Sequence, residues 1–357
     1  YVGEFERGLR HGVGACTYAS GAIYSGEWAA NEATGEGALV DVDGSTIRGN
    51  FRAGAADGSA TWRTREGDEL DGFFAQGAPD WAARWTVRYA DGRRYSGALR
   101  DGVPSGAAGM MRYADGAVYE GCFADGLRSG RGVLHGADGA TVSYAGRWRD
   151  DAFHGDGALV DHARNAYRGE FADGLKHGVG EQTYADGAVY KGEWVRGERH
   201  GVGHLVKRDG ETFAGSWVAG RPHGEGTLTR PDGTSHAGGF VRGAPHGWGV
   251  VTTASEEREC AFVDGVAVED DVKITYGAGG QYVGATLGGL PHGDGVRKWP
   301  SGETYAGSWV RGKRAGKGVG VFANGDSYDG EWQNDHPALV GGGTLKSASG
   351  ATRVFER

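Results

Sequence analysis

Proline is scarce, cysteine scarcer, and no run of about 18 apolar residues occurs anywhere in the chain. Each shortage removes a class of protein. With 8 Pro in 357 residues, the 71 Gly cannot belong to a collagen-like triple helix, which needs Gly at every third position and abundant Pro. Cys16, Cys122 and Cys260 lie far apart without a CxxC step, so the expectation is free thiols in a reducing compartment. No helical bilayer span and no signal-peptide pattern is read. The chain opens at Tyr1, inside a motif and without Met, and is expected to be a segment of a longer protein. A concentrated basic block is also missing. Net charge is −9, with basic pairs such as Lys207-Arg208 and Lys313-Arg314 dispersed, so no nucleic-acid partner is expected.

What the chain does have is rings. Its 11 Trp, 15 Tyr and 12 Phe separate it from Gly-rich linkers and disordered chains, which lack large apolar side chains. The rings recur in phase. Aligned on the aromatic of YxG, units start at Tyr1, Tyr24, Ile47, Leu70, Tyr95, Tyr119, Tyr144, Tyr167, Tyr190, Phe213, His236, Glu259, Tyr282, Tyr305 and Tyr328, mostly 23 residues apart. The third position is Gly in fourteen of these fifteen units, with Ala261 as the exception, and the fifth is Trp or Phe in twelve. The array is assigned to 1–350, with irregular units at 47–118 and 259–281 and a degenerate copy at 351–357.

Each unit carries two turn signals, as in FADGLKHG and YADGAVY, and between them lie segments of about five to seven residues rich in aromatic and β-branched side chains. These are too short for helices. The expected fold is all-β: an elongated single-layer antiparallel meander of about fifteen β-hairpins, on the order of 140 Å long at about 4.8 Å per strand, twisted into a trough or rod.

Strand alternation places residues one, three and five of a unit on one face. Glycine between two aromatics leaves a gap there, and the expectation is that a ring from the adjacent unit covers the bare backbone. The stacking residues are Tyr24, Gly26, Trp28, Tyr167, Gly169, Phe171, Tyr190, Gly192, Trp194, Tyr305, Gly307, Trp309, Tyr328, Gly330 and Trp332. About 2.5 kcal/mol per covered ring outweighs a strand-glycine penalty of about 1 kcal/mol.

The stretches YVGEFERGLRHGVG, YRGEFADGLKHGVG and YKGEWVRGERHGVG, from Tyr1, Tyr167 and Tyr190, closely resemble the membrane occupation and recognition nexus (MORN) repeat, and the likeness runs through essentially the whole chain. Relatives include radial spoke head proteins, junctophilins, plant phosphoinositide kinases and protist cytoskeletal scaffolds. Lacking a second domain here, the chain looks most like the all-repeat scaffolds and radial spoke heads. That resemblance implies a non-enzymatic scaffold holding several proteins in a cytoskeletal, ciliary or flagellar assembly. The rival reading is a membrane–cytoskeleton tether for anionic phospholipid head groups, which the acidic balance opposes.

No catalytic, cofactor or metal site is expected. The HG histidines His11, His154, His177, His200, His223, His246 and His292 recur every two strands, so neighbours stand about 9.6 Å apart, too far to share one ion easily. Nucleophile, base and oxyanion donors need converging elements, whereas Ser, His and Asp here follow the repeat. Glu4, Glu27, Glu170, Glu193 and Glu331 at the fourth position read as solvated charge. Function-specific residues should break the period. By that criterion Trp81, Arg84, Trp85, Arg88, Arg93 and Arg94 are the partner-binding candidates, since Trp and Arg dominate binding hot spots; filling of space left by missing glycines is the other reading of Trp81 and Trp85. Partners are expected to bind as a helix or extended peptide along the trough. Bare sheet edges suggest end-to-end homodimerisation or capping. The expected location is cytoplasmic and cytoskeletal, with the axoneme favoured.

Overall fold

A computed structural model describes residues 1–137, 143–338 and 342–355. Among these every regular element is a strand, and every strand pairing is antiparallel. Two compact units divide the chain, Tyr1–Ala185 and Asp186–Arg357. Each is an open meander in which a strand pairs with the strands before and after it.

The building block is clear in Val189–Val195, Glu198–Val206 and Thr212–Val218. Arg196 and Gly197 join the first two strands with φ of 51° and 85°, the left-handed pair of a type I′ turn, whose twist matches that of the strands. Among the described residues the same pair of positive values occurs at fifteen hairpin tips, from Arg7–Gly8 to Asn334–Asp335. At the opposite edge the chain turns more widely. Lys207 N–H donates to Glu211 at 2.8 Å and Gly210 N–H to Lys207 at 3.0 Å, while Asp209 Oδ1 accepts from Glu211 N–H at 3.0 Å.

Inside the hairpin the register breaks. Gly192 faces Gly203, yet Glu193 faces His200, so Gly201 and Val202 bulge out. Gly201 has φ of 55°, and a Cβ there would strike the Glu193 carboxylate. That carboxylate accepts Val202 N–H at 3.0 Å. Glu4, Glu27 and Glu170 clasp the corresponding amides of Val13, Glu36 and Val179. These four glutamates therefore hold the bulge, a role their alternation with the rings does not reveal.

The buried face consists of rings. Tyr190 is 0% exposed and Trp217 1%. Here the structure corrects the sequence expectation: the ring over each glycine pair belongs to the same hairpin. A Cβ on Gly203 would collide with Tyr190, one on Gly37 with Tyr24, and one on Gly318 with Tyr305. The tyrosine leans along its own strand onto the glycine two residues on and that glycine's cross-strand partner. The adjacent repeat supplies a different contact. Trp217 Nε1–H reaches back to the Gly203 carbonyl at 3.1 Å, and its indole meets the Tyr190 ring edge-on at 5.2 Å.

The period is also one residue out near the third cysteine. Gly249 faces Cys260 and Gly247 faces Phe262, so Arg258, Cys260 and Phe262 occupy the first, third and fifth positions, not Glu259, Ala261 and Val263. Thr253–Ser255 forms a shorter turn there, with Thr253 N–H donating to Glu256 at 2.9 Å, and this moves the frame.

Candidate functional site

The predicted stacking residues come together as a layer in each unit. In the first, Tyr24, Trp28, Tyr167 and Phe171 are all at most 3% exposed, and Gly26 and Gly169 face Gly37 and Gly180. In the second, Tyr190, Trp194, Tyr305, Trp309, Tyr328 and Trp332 are equally buried, and Gly192, Gly307 and Gly330 face Gly203, Gly318 and Gly343. Rings of one repeat touch the next edge-on, as in Tyr24–Phe51 at 4.8 Å and Tyr305–Trp332 at 5.1 Å.

Buried phenols need acceptors, and the bulge provides them. Tyr305 O–H lies 3.0 Å from the Ser308 carbonyl and 3.3 Å from that of Ala315. Burial pushes the phenols of Tyr24, Tyr95 and Tyr305 up to about 12.

Arginine ties repeats together at the hairpin tips. Arg10 stacks on Trp28 at 4.3 Å, its side chain donates to the Asn31 carbonyl at 2.7 Å, and its backbone N–H donates to Asn31 Oδ1 at 2.8 Å. Arg128 with Trp148 and Asp151, and Arg314 with Trp332 and Asp335, repeat this clasp.

The off-period cluster divides between core and surface. Trp85 is fully buried, so it presents nothing to a partner. It fills the socket over Gly72 that Leu70 cannot reach, packs edge-on against Phe74 at 5.7 Å and donates Nε1–H to the Asp80 carbonyl at 2.9 Å. Trp81 is partly exposed and lies 5.1 Å from Trp85. Cys260 and Val272 solve the same problem with a smaller ring substitute: a thiol where Gly72 stands and a valine where Trp85 stands, both buried.

Arg84, Arg88 and Arg94 point to the opposite, solvated face. Arg84 Nε donates to Ser96 Oγ at 3.2 Å, and Arg88 pairs with Glu69 at 3.3 Å and Asp71 at 3.1 Å. Arg93 stands apart in the wide turn, paired to Asp91 at 2.7 Å and 4.5 Å above the Tyr89 ring. Sequence reasoning missed Arg112, which sits directly across from Arg94. It also missed Trp248, 65% exposed between the paired glycines of its repeat, because that residue keeps to the period.

The second unit has a ring-side cavity of about 400 Å³ with Leu205, Trp217, Leu228 and Phe240 in its wall and Arg199 and Arg221 at its rim. Arg199 is held 4.5 Å over Trp217 and donates to the Gly220 carbonyl at 2.7 Å. Such a lining suits an apolar side chain next to an anionic group. Among the described residues no three His, Cys, Asp or Glu side chains gather as a metal-ligand set.

Two solved structures illustrate the structural neighbours. The TCP domain of Drosophila melanogaster SAS-4 (dCPAP), in complex with a proline-rich motif of Ana2 (dSTIL), is 14% identical, covering 59% of this chain and 97% of that one, with a TM-score of 0.20. The TCP10 domain of Danio rerio CPAP with a STIL peptide is 10% identical, covering 97% and 99%, with a TM-score of 0.15. Superpositions this loose carry no argument about function. No curated protein matches the chain. The family model for the MORN repeat matches residues 1–23, 24–46, 119–141, 144–159, 167–189, 190–212, 213–235, 282–304 and 305–327. These segments span more than half of the chain, carry the sockets of Tyr24, Tyr190 and Tyr305 and the clasps of Arg10 and Arg128, and establish that it belongs to the MORN repeat family.

Proposed function

We propose that the chain is a non-enzymatic scaffold that holds several proteins along its repeats within a cytoskeletal assembly, ciliary or flagellar and of the axonemal, radial-spoke-like kind. MORN repeats are a scaffold architecture. The finer reading is supported by one observation above all: a recurring frame carries varied decoration. Where a described repeat keeps a GxG step at the bulge, the residue between the glycines is exposed, and there stand Val13, Glu36, Arg131, Asp156, Val202, Trp248 and Lys317. The frame residues are consumed by stacking, whereas these are free to differ in charge, size and polarity. A surface of that kind presents separate weak contacts that add by avidity when partners are linked in one assembly. On the ring side, the cavity beside Trp217 suits a side chain of a helix or extended peptide. A cytoplasmic, cytoskeletal location follows from this reading.

Cross-linking mass spectrometry on the native assembly tests it. Cross-links from several different proteins, spread over many repeats, are expected. A single partner confined to one repeat, or co-sedimentation with phosphoinositide vesicles in place of any protein partner, would overturn the scaffold and leave the lipid tether.

A further inference from the structure

We infer that the guanidinium row Arg88, Arg94 and Arg112, with the cleft beside it, docks an acidic peptide segment of a partner protein in which carboxylates alternate with apolar side chains. The inference rests on the scaffold reading and gives the chemistry of one of its partners.

The strands Arg84–Arg88, Arg94–Arg100 and Val103–Arg112 lie side by side. Arg88 is the Cα partner of Arg94, and Arg94 that of Arg112, so three guanidinium stems emerge on one face at strand spacing, about 4.8 Å. Like charges placed directly opposite one another destabilise a sheet. Arg88 is relieved by Glu69 and Asp71. Arg94 and Arg112 have no ion-pair partner among the described residues, and both are exposed. Nearby acids are committed or remote from the pair: Asp91 holds Arg93, Asp115 accepts the Ala117 amide, and Glu120, opposite Met110, pairs with neither arginine. An in-line pair of free guanidinium forks is arranged to receive carboxylates bidentately.

The cleft adds the second half of the recognition. It has a volume of about 520 Å³ and is lined by Arg94 and Arg112, with Met110 as apolar wall and Thr86 and Ser96 as hydroxyl donors. Met110 is 42% exposed, and a flexible thioether adapts to varied apolar groups. A carboxylate on the arginines thus brings the next side chain onto the methionine. Glu69 and Asp71 beside Arg88 lower the net positive charge of this face, which disfavours a broad anionic surface such as a membrane.

Fluorescence anisotropy of a labelled peptide of alternating Glu and Leu, added to the full chain, tests the site. Binding is expected, weakening roughly tenfold or more on Arg94→Glu with Arg112→Glu and unaffected by Lys298→Glu in the second unit. Thermal melting checks that the pair of substitutions leaves the fold intact, and Arg94→Gln with Arg112→Gln supplies a milder second variant. No binding by the unaltered chain, equal binding by both arginine variants, or arginine-dependent binding of phosphatidylserine vesicles without peptide binding would each overturn the assignment. Native cross-links elsewhere along the repeats would survive that failure, and so would the scaffold.

Discussion

Trp217 donates its indole N–H to the carbonyl of Gly203, 3.1 Å away in the preceding repeat. The glycine has no side chain, so its backbone is reachable; the tryptophan has both the ring and the donor to use it. Trp28 to Gly14 at 3.0 Å, Trp309 to Gly295 at 3.1 Å and Trp332 to Gly318 at 2.9 Å repeat the bond. One repeat is therefore stitched to its neighbour by polar as well as apolar contact.

Separating those two contributions is straightforward. Trp217→Phe keeps most of the burial and loses the hydrogen bond, and should cost about 1 kcal/mol. Trp217→Ala empties the slot and should cost about 3–5 kcal/mol. Urea unfolding of the two variants measures both, and near-equal losses would show that the bond contributes nothing.

Gly203→Ala should be strongly destabilising, because its methyl collides with the Tyr190 ring. The remedy is written elsewhere in the chain, where Ile47 replaces the tyrosine and Ala60 the second glycine. Combining Tyr190→Ile with Gly203→Ala should cost less than the sum of the single changes. A double-mutant cycle with zero coupling would show that ring and glycine are independent.

Phe213 occupies a tyrosine socket, its ring over Gly226. Phe213→Tyr should place a hydroxyl near the bulge carbonyls, as at Tyr305, and stabilise the protein by about 0.5–1 kcal/mol. Conversely Tyr305→Phe should lose about the same. A fall in melting temperature for Phe213→Tyr would contradict the geometry.

His236 also stands in a tyrosine socket, buried, 4.6 Å from the Phe262 ring, and neither ring nitrogen has a hydrogen-bond partner. Burial pushes its pKa below the ordinary value of 6.5, and the Arg230 charge adds to the shift. The unfolded chain then takes up the proton first. Stability is intact above the unfolded pKa and falls as pH drops through it, until the folded form also protonates. His236→Phe should remove this acid sensitivity, read as melting temperature against pH. At the alkaline end the phenols act. Tyr24, Tyr95 and Tyr305 are pushed from 10.0 up to about 12, so stability is full below the lower value and is lost as pH rises through the higher one.

The repeat, its hairpins and the identity of the buried face were all legible in periodicity, because a strand's alternation is local. The direction in which a ring leans is not local, and for that reason the periodicity points to a ring of the adjacent unit where the tyrosine of the same hairpin covers the glycines. At Cys260 a short turn shifts the frame by one residue, and with Arg258 at the first position no leading aromatic marks the new phase; Phe262 at the fifth is the signal that remains. In the 81–94 cluster, breaking the period identified Trp85 as unusual but could not tell a socket filler from a binding residue. Arg112 escaped notice because it meets Arg94 only through pairing across strands.

The exchange of fillers at Gly72–Trp85 and Cys260–Val272 shows that what a hairpin requires is a fixed quantity of matter in one small space, donated by either strand. Signature letters can therefore wander across the turn, or vanish, without loss of the architecture. Tallies that recognise copies by their leading aromatic will undercount such arrays, and the copies they overlook are those in which selection has already found another way to fill the hole.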